Sequence, residues 1–374
     1  MKIAIKRIVS AILFFVIFFA VIMYAGIIGR PYYNGAYNYD IWQYFYAEDD
    51  NTHNVINIGS SAIYRYWAPM VAYDEQGFTS FTIGTTRQAF DAVPYIIEEV
   101  MKTQNPDLIV VETRSLINER INIIDDTENA NPDMRSWELG VLAGGMNYSS
   151  TRYNMIHELY IDTEGDCELY WHIPILKYHS LEYSLPLTER LARIRNGKDP
   201  LKSTYLVSNV SAITENSAKK QLDGQYYLTD SDKASIDRIV KTAKDHDVDL
   251  LFVSTPYLMD KRHASMQQSF EDYILEKNYS FIDLNDYIDD IGLDMKTDFY
   301  NSTHTNVVGA EKVTSFLAKY LADNYKFDNV TLSEKQIKEW NISCEKWAAE
   351  SEKLKKQWAE NCLDANTAPV EYND

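Results

Sequence analysis

Residues 54–62 read Asn-Val-Ile-Asn-Ile-Gly-Ser-Ser-Ala, a short apolar strand that runs directly into a glycine and two serines. The same pattern recurs downstream. Phe78–Ile83 (FTSFTI) is a second strand, ending at Gly84. Arg87–Thr103 has helical spacing, with Phe90, Val93, Ile96, Ile97 and Val100 on one stripe. Asp107–Glu112 (DLIVVE) is a third strand, apolar between its ends. Ser231–His246 reads as a helix, and Asp249–Ser254 (DLLFVS) is a fourth strand stopped by Thr255-Pro256. Phe281–Leu284 is a fifth strand and Gly309–Asn324 a closing helix. Apolar strands alternating with helices predict an α/β fold: a five-stranded parallel sheet covered on both faces. Sites in such sheets form at the carboxyl ends of the strands.

The flanks differ from this core. Ile8–Ile28 is uncharged over about 21 residues, enough at about 1.5 Å per residue to span a bilayer core of roughly 30 Å. Met23-Tyr24-Ala25 makes a poor signal cleavage site, so an uncleaved signal anchor is expected over residues 1–29. Lys2, Lys6 and Arg7 precede the span, which places the N-terminus inside and the body outside the cell membrane, single-pass. Residues 30–53, Tyr- and Asn-rich, read as a linker. The α/β domain then covers 54–331. Within it, 115–229 shows no strand–helix alternation and is far too long for a plain loop. It reads as an inserted lid subdomain overhanging the carboxyl edge. Residues 332–374 form a C-terminal helix and tail. Ser333 and Gln336 give a capping-box signal, and Ile337, Trp340, Cys344, Trp347, Leu354 and Trp358 make an apolar stripe. That amphipathic stripe faces either the core or a partner.

Composition narrows the classes. Of 374 residues, 45% are apolar and 24% charged, which are globular proportions. A net charge of −19 lacks the basic footprint of nucleic-acid binding. Three cysteines cannot make a disulfide framework, and Cys344 and Cys362 would lie about 27 Å apart along one helix. Seven histidines include no H-x-x-x-H or H-E-x-x-H spacing, so no metal is expected. No G-x-x-x-x-G-K-[ST] or G-x-G-x-x-G occurs, so no nucleotide cofactor is expected.

Two features carry chemistry. Gly59-Ser60-Ser61 follows the first strand, where a serine at a helix start puts its hydroxyl at the sheet edge and its N–H toward an oxyanion. The stretch lacks a G-x-S-x-G elbow. Asp298-Phe-Tyr-Asn301-Ser-Thr-His304 lies in a loop before the last helix, where His304 can reach the same edge and serve as base. Singly, the first is an ordinary turn and the second an ordinary surface histidine. Their pairing gives them weight.

Together these residues resemble the SGNH/GDSL hydrolase family, over roughly residues 54–323. Gly59-Ser60-Ser61 looks like the nucleophile block, which would make Ser61 the nucleophile, and Gly84 matches the glycine that supplies an oxyanion N–H. His304 matches the terminal Asp-x-x-His block, and Asn306 and Gly309-Ala310-x-Lys312 follow as in that block. The resemblance implies a flavodoxin-like three-layer α/β/α sandwich. It points to the membrane-anchored branch of the D-alanyl-lipoteichoic acid transfer protein and related cell-envelope acyltransferases. Such members act on acyl groups of envelope polymers, some beside a membrane-bound O-acyltransferase. An acylated envelope glycan or polymer is therefore the implied substrate, and such an acyltransferase a candidate partner.

The sequence departs from the family twice. Glu112-Thr113-Arg114-Ser115 stands where Gly-x-Asn-Asp supplies an oxyanion donor, with Arg114 the candidate replacement or anion binder. Asn301 stands in the Asp position, leaving Asn301 or Asp298 to orient His304. Arg87, near Gly84, either joins Arg114 at the cleft or forms a surface ion pair. The expected activity is a serine esterase or O-acyltransferase. The other class left open is a non-catalytic envelope assembly protein that kept the fold.

Overall fold

The structure, a computed structural model, describes residues 2–29, 40–124, 132–178, 188, 197–211 and 225–365. In chain order the core begins with α1 (Lys2–Gly29), α2 (Ile41–Ala47), β1 (Val55–Gly59), α3 (Ser61–Tyr66) and α4 (Pro69–Gln76). There follow β2 (Ser80–Gly84), α5 (Val93–Val100), β3 (Leu108–Glu112) and α6 (Arg114–Ile124). Four helices come next: α7 (Pro132–Gly145), α8 (Ser150–Leu159), α9 (Glu168–His172) and α10 (Ile175–Tyr178). The second half holds α11 (Asp230–Asp245), β4 (Asp249–Ser254), α12 (Lys261–Lys277), β5 (Phe281–Asp283) and α13 (Ile288–Ile291). A hairpin of β6 (Phe299–Asn301) and β7 (His304–Thr305) leads to α14 (Val307–Asn324) and α15 (Glu334–Ala365).

The five long strands are all parallel, in the order β2-β1-β3-β4-β5. Successive strand residues point to opposite faces, and both faces are covered. Ile56, Ile58, Ile109, Val111 and Phe252 join one buried cluster with α2, α5, α6, α11 and α12. Val55, Leu108, Val110, Leu251 and Val253 join a second with α3, α4 and α14. This is an α/β sandwich. The order turns back between β1 and β3, so the ends of those strands border the crevice where such sheets bind ligands.

Two sequence expectations are corrected. Residues 30–53 are not all linker, because α2 lies within them. Ile41, Trp42 and Phe45 are buried, and the Phe45 ring meets Phe81 edge-on at 5.6 Å. An apolar face spaced i, i+1, i+4 is enough to seat this short helix on the sheet. Residues 30–39 lie outside the described residues.

The described helices of the insertion lie largely beside the sheet, with Glu138 of α7 reaching Arg87 just past β2. Helices α7 and α8 pack against α2 and α5 on one sheet face. The Tyr46 hydroxyl accepts from the Asn147 N–H at 3.1 Å there. Tyr205 and Ser211 reach the strand-end side: the Tyr205 N–H donates to the Tyr64 carbonyl, and the Ser211 N–H to that of Phe299.

The helix expected over Arg87–Thr103 begins later, with a 3₁₀ turn at Phe90–Ala92 ahead of α5. Pro94 sits in the first turn of α5, where its missing N–H costs nothing.

Two flanking helices complete the fold. α1 is long and apolar enough to cross a membrane over Lys2–Gly26, and its most apolar stretch is not covered by the rest of the chain. It rests on the domain near its end. A Cβ at Gly26 would fall 2.7 Å from the Ile175 nitrogen. α15 is capped as expected, the Ser333 N–H donating to Gln336 Oε1 at 2.8 Å. Much of its stripe packs on the domain, while Ile337 is exposed. Trp340 stacks on Tyr73 at 4.8 Å, Trp347 packs on Ala68 and Met70, and Trp358 Nε1 donates to the Thr297 carbonyl.

Candidate active site

β1 delivers Ser61 to the sheet edge. Its last residue, Gly59, pairs with Gly84, the last of β2. Neither position has room for a side chain. A Cβ on Gly59 would lie 2.6 Å from Glu112 Cβ, and one on Gly84 would lie 2.7 Å from Ile63 Cγ2 and 3.2 Å from the Ser60 carbonyl. Gly84 thus lets β2 pass close under the serine turn. Ser60 is the extended N-cap of α3, but its hydroxyl turns inward to Glu112 at 3.3 Å. Ser61 is the first helical residue and is half-buried.

His304 was expected in a loop. It lies instead in the β6–β7 hairpin, directly opposite Asn301. That pairing explains why three residues of separation bring the two side chains together: the tight turn at Ser302-Thr303 folds one strand onto the other. The turn is anchored from below. The Leu258 N–H donates to the Ser302 carbonyl at 3.1 Å. Arg114 donates to the Thr303 carbonyl, and the Tyr66 hydroxyl reaches the same oxygen at 3.0 Å.

Ser61 Oγ lies 2.8 Å from His304 Nε2. On the other side of the ring, Nδ1 lies 3.1 Å from Asn301 Oδ1 and 2.9 Å from Thr303 Oγ1. The protonation pattern follows from the donors. The Thr303 N–H points at the Asn301 amide at 3.0 Å and can only donate, so the amide atom there is oxygen. The Thr303 hydroxyl approaches the same oxygen at 3.1 Å. His304 Nδ1, facing an acceptor, carries the proton. Nε2 is left with its lone pair toward the Ser61 hydroxyl. Burial holds the imidazole well below the usual histidine range, and the charges of Arg114 and Arg65 add to the effect. His304 is therefore neutral at pH 7 and able to take the Ser61 proton.

The other expected site residues have different places. Asp298 does not orient His304. Its carboxylate is buried and held by Lys312 at 2.7 Å, the Asp294 N–H at 2.9 Å and the Thr297 hydroxyl. It braces the hairpin against α14. Asn306 and Gly309 belong to the same brace. Asn306 caps α14 by accepting from Val308 and Gly309, and a Cβ on Gly309 would lie 2.3 Å from the Asp298 carbonyl. Arg114 is 2% exposed, lies over the Tyr66 and Tyr257 rings, and supports the hairpin rather than lining the cleft. Arg87 does not join it: it pairs with Glu138 at 2.9 Å, from a left-handed backbone at φ 52°.

Residues not singled out in the sequence complete the surroundings. Glu112 ties three strand ends together, accepting from Ser60, the Arg114 N–H at 3.0 Å and Thr255 at 3.1 Å. Burial pushes its carboxyl up. Thr303 orients the amide and ring. Tyr300 stacks on His304 with centroids 5.4 Å apart, and Arg65 lies over Tyr300 at 4.9 Å. The signal for Arg65 was its place four residues after Ser61 on one helix face. Glu112 and Thr303 sit inside quoted motifs, but nothing in the spacing shows where they point.

Compared with known proteins, the chain matches no family model, and no curated protein matches its sequence.

Proposed function

We propose that this chain is a membrane-anchored, SGNH-like serine acyl-ester enzyme acting outside the cell membrane on acyl groups of an envelope glycan or polymer. The observation that carries the reading is Ser61 Oγ at 2.8 Å from an unprotonated His304 Nε2 whose other nitrogen is held by Asn301. The strand order is that of flavodoxin-like sheets, and Ser61 stands at their switch point.

Ser61 Oγ attacks the ester carbonyl carbon, and its proton passes to His304 Nε2. The oxyanion forms beside the Ser61 N–H, at a helix start with no side-chain cap. Collapse expels the alcohol, which takes the proton from Nε2 and leaves an acyl-serine. Water or a polymer hydroxyl then attacks that ester, with His304 again as base. No asparagine donor stands at the end of β3, since Glu112 and Arg114 both turn into the fold. One missing oxyanion donor costs about 2.7–4 kcal/mol, so turnover with simple esters is slow. The basic residues in the first turns of α1, ahead of its uncharged stretch, favour an external domain. The contact of α1 with Ile175 keeps the domain close to the bilayer, where a membrane-bound O-acyltransferase is the candidate acyl donor.

The test is the full-length chain in detergent, exposed to an activated acetyl ester and weighed by intact mass. An acetyl adduct is expected on wild type and not on Ser61→Ala. No adduct and no ester turnover from folded wild-type protein would overturn the reading in favour of a non-catalytic assembly protein.

A further inference from the structure

Among the described residues, Arg65 is an unpaired cation beside the Ser61–His304 pair. It is 8% exposed, yet its Nε has no hydrogen-bond partner. Among the described residues its guanidinium makes one hydrogen bond, a long one from Nη1 to the Tyr205 carbonyl at 3.4 Å. Among the described residues no carboxylate pairs with it. A buried guanidinium so poorly satisfied is expensive. Its surroundings hold it as a flat fork. It lies over the Tyr205 ring at 4.2 Å and the Tyr300 ring at 4.9 Å. Both tyrosines are half-buried and border solvent.

Position completes the case. Arg65 lies one helical turn after Ser61, and residues four apart share a helix face. Tyr300 joins its guanidinium to the His304 ring. The nearby Arg114 is already committed to the Thr303 carbonyl. Arg65 is thus the local cation with hydrogen-bonding capacity to spare, in a chain whose net charge of −19 otherwise repels anions.

We infer that Arg65, framed by Tyr205 and Tyr300, is a subsite for an oxyanion group of the substrate, a carboxylate or phosphate, carried within one helical turn of the reacting ester. The guanidinium fork matches such groups by two parallel hydrogen bonds. The inference rests on the acyl-transfer reading for the word substrate, but binding itself does not need a working Ser61.

The experiment is titration calorimetry of the full-length chain in detergent with glycerol 3-phosphate, glucuronate and neutral glycerol. Binding of at least one anion, but not of glycerol, is expected for wild type and equally for Ser61→Ala. Affinity should fall at least tenfold in Arg65→Gln and partly recover in Arg65→Lys, with circular dichroism showing both variants folded. Preference between the two anions separates a phosphate-bearing from a carboxylate-bearing substrate. Binding of neither anion, equal binding of glycerol, or undiminished binding in Arg65→Gln overturns the subsite. Anion binding without a Ser61 adduct would sink the enzyme reading and leave the subsite standing. An adduct without anion binding would do the reverse.

Discussion

Two histidines at separate places in the fold are held below the usual imidazole range, and they show what separates a reactive centre from a structural one. His53, just before β1, is fully buried with Nε2 at 3.4 Å from Glu48. Lys202 closes on Glu48 at 2.8 Å, and Trp340 of α15 packs edge-on against the His53 ring at 6.1 Å. His304, beyond the carboxyl ends of the strands, faces a serine hydroxyl and a neutral amide and is half-exposed. Burial lowers both imidazoles, His53 against the pull of Glu48 and His304 with added repulsion from Arg114 and Arg65. A depressed histidine alone therefore marks nothing. Access, and a nucleophile in place of a carboxylate, make the difference.

The strongest way to break this comparison is to exchange the losses. His304→Ala should slow acylation of Ser61 by about 10²–10⁴-fold, the usual contribution of a positioned base. His53→Gln should leave that rate unchanged in the protein that remains folded. The second-order rate of labelling by a fluorophosphonate measures both. Equal effects of the two changes would erase the distinction.

A second effect falls on stability. Glu48→Ala strands Lys202 and His53, both nearly sealed from solvent, without their carboxylate. Breaking one side of a buried charge pair costs about 3–5 kcal/mol. Denaturant unfolding should show a midpoint shift of that size, with the labelling rate of folded protein unaltered. A shift under 1 kcal/mol would mean that water reaches the cluster.

The same contrast explains what could be read from the chain. The five strands were legible because each is an apolar run cut off by Gly, Pro or a charge, and buried parallel strands need that composition. Ser61 was legible because it follows such a cut-off, and His304 because it stands just before the closing helix. α2 was not, because its tyrosines and Gln43 resemble the Tyr- and Asn-rich stretch before it, and only the sheet shows that Trp42 and Phe45 are covered. The choice between Asn301 and Asp298 was not legible either. Both precede His304 by a few residues, and cross-strand register rather than spacing decides which one faces the ring. Arg65 stayed hidden because a lone arginine on a short helix is normally paired at the surface. Its lack of a partner exists only in three dimensions.

The smallest effect is the most diagnostic, because it alters His304 without removing it. In Asn301→Asp the Thr303 N–H and hydroxyl can still donate to the side chain, so the geometry is kept. The new carboxylate stabilises the imidazolium that forms when Ser61 gives up its proton, and acylation above pH 7 should rise about tenfold. The pH profile carries the sign. In wild type the neutral ring is the active form and its pKa is depressed, so activity persists below pH 6.5 and fails only at more acid values. A carboxylate at position 301 draws the pKa upward and moves the acid limb with it. Stability follows the same linkage. The unfolded chain protonates His304 near pH 6.5 while the folded wild type resists, so wild type loses stability as pH falls through that value, and Asn301→Asp should lose less. A faster enzyme whose acid limb moves up, and whose melting temperature falls less on acidification, would establish that the residue opposite His304 sets its basicity. An unmoved limb would mean that burial and the two arginines govern the ring alone, with Asn301 fixing only its tautomer.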